Sequence, residues 1–270
     1  MTTDVNVCIA GLGTIGRAVA LELDRDGIPG MKLGAVAVRD QRKAHDFLLQ
    51  LKRSVPIVGL GDLSDYGDIV LECAPAELLL QIAEPALARG KKLIVLSVGA
   101  LLSQPHLTQA ARDGGGAILV PTGALLGLDA VLAAAEGTIY SVRMITRKPP
   151  NGLAGAPFLV ENGISIEMLD KPLKIFSGSA RDAAKGFPAN LNVAVALSLA
   201  GVGPDQTLLE IWADPTVTRN THRIEVDSDS ARLTMTIENI PSENPKTGII
   251  TARSVVALLR KMSSPLRVGT

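Results

Sequence analysis

The chain has 270 residues, enough for one or two domains with a sizeable buried core. Its 27 basic residues balance 27 acidic ones, which argues against a protein that lives on nucleic acid or an anionic membrane. Hydrophobic residues make up 47% and aromatic ones 3%, so the expected core is Val, Leu, Ile and Ala, without an aromatic platform for single-stranded nucleic acid.

Val5 to Ala10 is a short apolar run of strand type, and Thr14 to Asp24 has helical spacing with Ile15, Val19 and Leu23 on one face. Leu33 to Val38 reads as a second strand and Ala44 to Lys52 as a second helix. Further strands are expected at Val55 to Val58, Ile69 to Cys73, Lys92 to Ser97 and Ala117 to Pro121. Helices are expected at Ala76 to Arg89, closed by Gly90, and at Pro105 to Asp113, ending in Gly114 to Gly116. Apolar strands alternating with amphipathic helices predict an α/β fold, a doubly wound parallel sheet covered on both faces.

The pattern changes after about residue 138. Thr138 to Thr146 reads as a longer strand, and Lys148 to Pro157, rich in Pro and Gly, as a loop. Helices follow at Ser179 to Lys185, with Ser179 as N-cap, and at Asn190 to Ala200. Three strands come next, at Thr207 to Ala213, His222 to Val226 and Arg232 to Glu238, with a turn at Asp227 to Ser230 between the last two. A helix from Thr251 to Met262 closes the pattern. A meander beside helices predicts a second, mixed α+β domain.

Cys8 and Cys73 form no Cys-x-x-Cys pair and no metal-ligand spacing; they read as small buried filler, and no metal is expected. Met1 to Ala10 has no basic flank of the signal-peptide kind, and no apolar run reaches the roughly 18 residues of a membrane span. The expected compartment is the cytoplasm.

The sharpest motif is Gly11-Leu12-Gly13-Thr14-Ile15-Gly16, set between a predicted strand and a predicted helix. That context binds a dinucleotide pyrophosphate: Gly11 for the tight turn, Gly13 for close approach of the phosphates, Gly16 for packing of helix on strand. The bland alternative is a tight turn with no nucleotide. The second strand ends in Val38-Arg39-Asp40. A carboxylate there suits the ribose hydroxyls of NAD, and an arginine suits the 2′-phosphate of NADP, so the cofactor is read as NAD or NADP. The loops Glu72-Cys73-Ala74-Pro75, Ser97-Val98-Gly99-Ala100 and Pro121-Thr122-Gly123-Ala124 lie at the expected carboxyl ends of strands, where small residues admit a nicotinamide; simple tight connections are the alternative. His45 and His106 read as surface residues, whereas His222 follows the strand break at Asp214-Pro215 in a polar cluster, Arg219-Asn220-Thr221-His222. A titratable group held there near neutral pH suits acid–base work; a satisfied structural histidine is the competing reading. No Ser/His/Asp spacing, nucleophile elbow, zinc signature or Walker loop is present.

Several segments taken in order resemble the L-aspartate dehydrogenase family over nearly the whole chain. They are Gly11 to Gly16, Pro121 to Ala124, Thr146-Arg147-Lys148-Pro149, Gly178-Ser179-Ala180-Arg181, Phe187 to Val193, Ala213-Asp214-Pro215 with Arg219 to His222, and Asn239 to Pro245. The resemblance implies a Rossmann domain of residues 1–124 plus 247–270 and an α+β substrate and dimerisation domain of residues 125–246. It implies NAD(P)-dependent oxidative deamination of L-aspartate to oxaloacetate and ammonia through iminoaspartate, a product that can feed quinolinate and NAD biosynthesis. The family's active-site histidine falls on His222, its nicotinamide-side alanine on Ala124, and its cofactor-contacting asparagine on Asn190. For the substrate carboxylates the candidates are Lys148, Arg181, Lys185 and Lys246, with Asn192 beside them. A homodimer with a small-molecule substrate is implied. Two other classes stay open: a homoserine, aspartate-semialdehyde or dihydrodipicolinate type of NAD(P) oxidoreductase, expected to lack the Arg-Asn-x-His segment, and a non-catalytic dinucleotide-binding regulator.

Overall fold

A computed structural model describes residues 4–187, 191–242 and 248–270. The chain divides into two compact units, Met1–Gly123 with Ala252–Val268, and Ala124–Thr251 with Gly269–Thr270.

The first unit is built on β1 (Val5–Ala10), β2 (Met31–Ala37), β3 (Ile69–Glu72), β4 (Lys92–Val95) and β5 (Ala117–Leu119), all parallel, in the order β2-β1-β3-β4-β5. Between the strands run α1 (Thr14–Asp24), α2 (Gln41–Leu48), the short α3 (Leu63–Tyr66), α4 (Leu79–Ala88), the short α5 (Val98–Leu101) and α6 (His106–Gly114). Side chains alternate across a strand, so β1 feeds two cores at once. Val7 and Ile9 join Val19 and Leu23 of α1 on one face; Cys8 and Ala10 join Leu79, Ile82 and Leu87 of α4 on the other. Both cores are mainly aliphatic, as the composition implied, with Phe47 the aromatic among the buried residues of the first. Cys8 is fully buried, and burial pushes its thiol up to about 11, which leaves it inert filler.

The second unit holds α7 (Leu128–Ala135), β6 (Ile139–Lys148), α8 (Pro157–Glu161), β7 (Leu173–Ser179), α9 (Ala180–Gly186), α10 (Asn192–Ala200), β8 (Thr207–Ala213), β9 (Asn220–Ser228) and β10 (Arg232–Asn239). Its sheet has the order β10-β9-β6-β8-β7; β6 and β8 are parallel and the other pairs antiparallel. Val142 and Met144 of β6, Leu209 and Ile211 of β8, and Ile224 and Val226 of β9 are buried at alternate positions, the period-2 pattern of a sheet with one covered face. Phe158, Phe176 and Phe187 pack with ring centroids 5.3–5.8 Å apart, so the few aromatics are concentrated in this unit. The last helix, α11 (Ile249–Ser263), sends Val255 and Leu259 into the core of the first unit, and Arg260 Nε donates to the Gly27 carbonyl at 3.0 Å.

The fold departs from expectation at definite places. Val55 to Val58 is no strand. It makes a single bridge from Ile57 to Val36, because Pro56 offers no ladder N–H. Strand β7 escaped the pattern because a register shift between Lys174 and Phe176 buries the adjacent Ile175 and Phe176 and breaks the alternation. Helix α7 is an alanine-rich segment whose one polar residue is Asp129, so it shows little helical patterning, and α8 starts at the proline where the loop was expected to end. Ser179 does cap α9, accepting from the Asp182 N–H at 3.1 Å.

Candidate functional site

In the first unit the strand order reverses at β1, with β2 on one side and β3 on the other, and the glycine turn leaves the carboxyl end of β1. Each glycine has its own reason. Gly11 has φ +96°, and a Cβ on it would sit 2.7 Å from the Cys73 carbonyl oxygen. A Cβ on Gly16 would sit 2.0 Å from the Gly11 carbonyl oxygen, so only glycine lets α1 pack on the turn. Around Gly13 nothing lies within 4 Å of a built Cβ. Gly13 is also the N-cap of α1 and brings no side-chain acceptor, so the helix presents open N–H groups to that space. Thr14 and Ile15 form the first turn of that helix.

A cavity of about 670 Å³ lies over this turn, lined among others by Gly11, Gly13, Arg39, Asp40, Lys43 and Ala74. A cradle of this size with an uncapped helix N-terminus fits a dinucleotide. Arg17 also lines it, its guanidinium 5.2 Å from the Phe47 ring and its Nε donating to Leu12 O at 2.9 Å. Asp40 also serves its own helix, since its Oδ1 accepts the Lys43 N–H at 3.1 Å and caps α2. The rim therefore carries three cations, Arg17, Arg39 and Lys43, against a carboxylate partly committed to that cap.

Glu72, at the end of β3, carries no signal of a role in its local sequence. It is fully buried; its Oε2 accepts the Leu96 and Ser97 N–H groups at 3.0 and 2.8 Å, and its Oε1 accepts the Ser97 hydroxyl at 3.0 Å. Burial raises its carboxyl above the usual range despite these bonds. The carboxylate ties the turn after β3, which carries Ala74, to the turn after β4.

In the second unit the polar residues collect at one end of the sheet. Thr146 pairs with His222 in the β6–β9 register, Lys148 pairs with Ala213 of β8, and Asn239 pairs with Asn220. Thr146, Lys148, Asp214, His222 and Asn239 are all buried. Thr146 Oγ1 lies 3.1 Å from His222 Nδ1. Burial, and then the charge of Lys148, push the ring down to about 3. The expected ring titrating near neutral pH is thus replaced by one that stays neutral, because the sheet withdraws it from water. Asp214 pairs with Arg147 at 2.9 Å and accepts the Thr216 N–H and hydroxyl, and its carboxyl is held below its ordinary value. Asn239 Nδ2 donates to the Ala124 carbonyl at 2.9 Å, fixing the loop that opens this unit.

The substrate candidates separate. Lys148 shares the sheet end with His222. Arg181 does not: β7 runs antiparallel to β8, so Ser179 pairs with Leu208 at the opposite end, and Arg181 is held there by Asp205 at 2.5 and 2.8 Å. Lys185 is exposed on α9, 3.6 Å from Asp182. Asn192 begins α10. Asn190 and Lys246 lie outside the described residues.

Two family models match: aspartate dehydrogenase, C-terminal, over residues 129–262, and the homoserine dehydrogenase NAD binding domain over residues 11–121. L-aspartate dehydrogenase 3 of Bordetella bronchiseptica is 63% identical over 267 residues, covering 99% of this chain and 98% of that one. L-aspartate dehydrogenase of Bradyrhizobium diazoefficiens is 61% identical over 269 residues, covering 100% of this chain and 95% of that one. Among solved structures, aspartate dehydrogenase from Thermotoga maritima superposes with a TM-score of 0.74 at 24% identity, covering 98% and 99% of the two chains, a likeness of fold. The chain belongs to the L-aspartate dehydrogenase family.

Proposed function

We propose that the chain catalyses NAD(P)-dependent oxidative deamination of L-aspartate to oxaloacetate and ammonia through iminoaspartate, and the reverse reductive amination. The observation that carries this reading is the buried polar end of the second sheet, where His222, Thr146 and Lys148 meet inside the segment that matches the aspartate dehydrogenase C-terminal model. Bound NAD(P)⁺ supplies the hydride acceptor. The chain supplies position and electrostatics, the larger part of such a rate enhancement. The Gly11–Gly16 turn and the N-terminus of α1 hold the pyrophosphate; Arg39 and Asp40 meet the adenosine ribose; Ala74 borders the nicotinamide. His222 sits at the substrate Cα and orients the attacking water. Lys148 is the cation best placed for a substrate carboxylate, since a buried ammonium beside a neutral imidazole attracts an anion. A purely regulatory reading gives no reason for a buried imidazole between a hydroxyl and an ammonium.

The working form in this reading is a cytoplasmic homodimer; β6 and β8 leave Tyr140 and Leu208 exposed at 66% and 52%. Light scattering that gives a monomer mass contradicts the dimer. The activity is tested by adding L-aspartate and NAD⁺ or NADP⁺ to purified protein at alkaline pH. One ammonia and one oxaloacetate should appear per reduced cofactor. Cofactor binding without turnover points to the regulator, and turnover with homoserine but not aspartate to the neighbouring oxidoreductases.

A further inference from the structure

Thr146 has no part in the reaction as described above, yet its burial asks for one. The residue is fully buried, and among the described residues its hydroxyl has one hydrogen-bond partner, His222 Nδ1 at 3.1 Å. A buried hydroxyl hydrogen without an acceptor costs about 1–3 kcal/mol.

The neutral imidazole carries one hydrogen, on Nδ1 or on Nε2. With the hydrogen on Nδ1, the ring donates to Oγ1 and the Thr146 hydrogen is stranded inside the sheet. With the hydrogen on Nε2, Thr146 donates to Nδ1 and its hydrogen is satisfied. The burden then moves to Nε2–H, and there the surroundings differ. Nε2 bonds to no described residue, yet among those residues the sealed side-chain atom left without a partner is Asn239 Oδ1. A substrate or water oxygen in the site would complete the Nε2 bond. The positive charge of Lys148 and the burial of the ring both disfavour a second hydrogen, so the ring remains neutral.

We propose that Thr146 is a positioning residue whose hydroxyl donates to Nδ1 and holds His222 as the Nε2–H tautomer, so that the ring meets the substrate as a hydrogen-bond donor to oxygen. The inference rests on the reading that places His222 at the reacting centre. The oxygen concerned is the one that water brings to Cα, which is the carbonyl oxygen of the 2-oxo acid in the reverse direction. A fixed N–H aimed at an oxygen that gains negative charge when the carbon is attacked needs no reorganisation at the moment of reaction.

The test is ¹⁵N NMR of the protein labelled at histidine, with His222→Ala used to assign the His222 signals. Near neutral pH the wild type should show hydrogen on Nε2 and none on Nδ1. Thr146→Val keeps the shape and removes the donor; it should move the Nδ1 resonance toward that of a ring nitrogen accepting no hydrogen bond and lower kcat about tenfold with cofactor affinity unchanged. Thr146→Ser should restore both. Hydrogen on Nδ1 in the wild type overturns the proposal, as does an unchanged Nδ1 resonance in Thr146→Val. The wild-type spectrum decides the tautomer even if Thr146→Val does not fold. Normal turnover by His222→Ala, with the Nε2–H tautomer present, would instead overturn the placement of His222 at the reacting centre and with it the donor role.

Discussion

At the scale of single residues, space and charge decide more than residue type. Gly13 is the clearest case, because nothing occupies the space that a side chain there would enter. Gly13→Val should fold and lose NAD(P) affinity by about tenfold or more, since the valine fills the volume meant for the pyrophosphate. Fluorescence titration reads this directly, and an unchanged Kd in a folded variant removes the phosphate role. His222 gives a pH prediction. Its folded pKa, about 3, lies below its ordinary 6.5. The unfolded chain therefore binds a proton that the folded chain refuses in the window between those values. Stability from this residue is complete above 6.5 and falls as the pH drops toward 3, by up to about 1.4 kcal/mol per pH unit. Urea melts across that window should flatten in His222→Asn relative to wild type; parallel curves contradict the buried, neutral ring.

At the scale of elements, the strand ends carry the chemistry. The β2–α2 junction joins two demands in Asp40, which caps α2 while it borders the cofactor cavity. Asp40→Ser keeps a cap and removes the charge, so stability should stay within about 0.5 kcal/mol while preference shifts toward NADP; Asp40→Ala should lose about 1 kcal/mol as well. Arg39→Ala should weaken NADP more than NAD, because only NADP offers a phosphate to the cation. Paired thermal melts and cofactor titrations separate the two roles, and equal effects on both cofactors contradict the assignment. Glu72 joins the turns after β3 and β4. Glu72→Ala strands two backbone N–H groups and opens a void, so a loss of about 2–4 kcal/mol in denaturant melts is expected; a loss under about 0.5 kcal/mol means the buried carboxylate holds nothing.

These elements also mark how much was legible in the sequence. The bounds of β1, α1 and β8 follow from apolar runs and helical spacing bounded by turn residues, and the structure places them at the same residues. The false strand around Pro56 arises because an apolar run outweighs one missing N–H. Strand β7 is hidden by its bulge. The site was legible in part. A glycine motif is local and announces itself, but the gathering of Thr146, Lys148, His222 and Asn239 is a matter of register between strands distant in sequence. Arg181 failed for the same reason: its sequence neighbours say nothing of the sheet end to which an antiparallel strand delivers it.

At the scale of the whole molecule, two units of different topology divide the labour. A doubly wound parallel sheet, completed by the helix at the end of the chain, supplies the cofactor cradle at the reversal of its strand order. A mixed sheet gathers most of its buried polar groups at one end and leaves the rest of its covered face apolar apart from Thr207 at the far end of β8. The proposed chemistry depends most on His222, so removing that side chain is the most direct test. The measurement is kcat per folded molecule for aspartate-dependent cofactor reduction by His222→Ala, taken beside a melting curve and a cofactor titration. A fall of about 10²-fold or more with NAD(P) affinity nearly intact is the predicted result. Lower stability with near-normal turnover of the folded fraction would contradict it and make His222 a structural histidine.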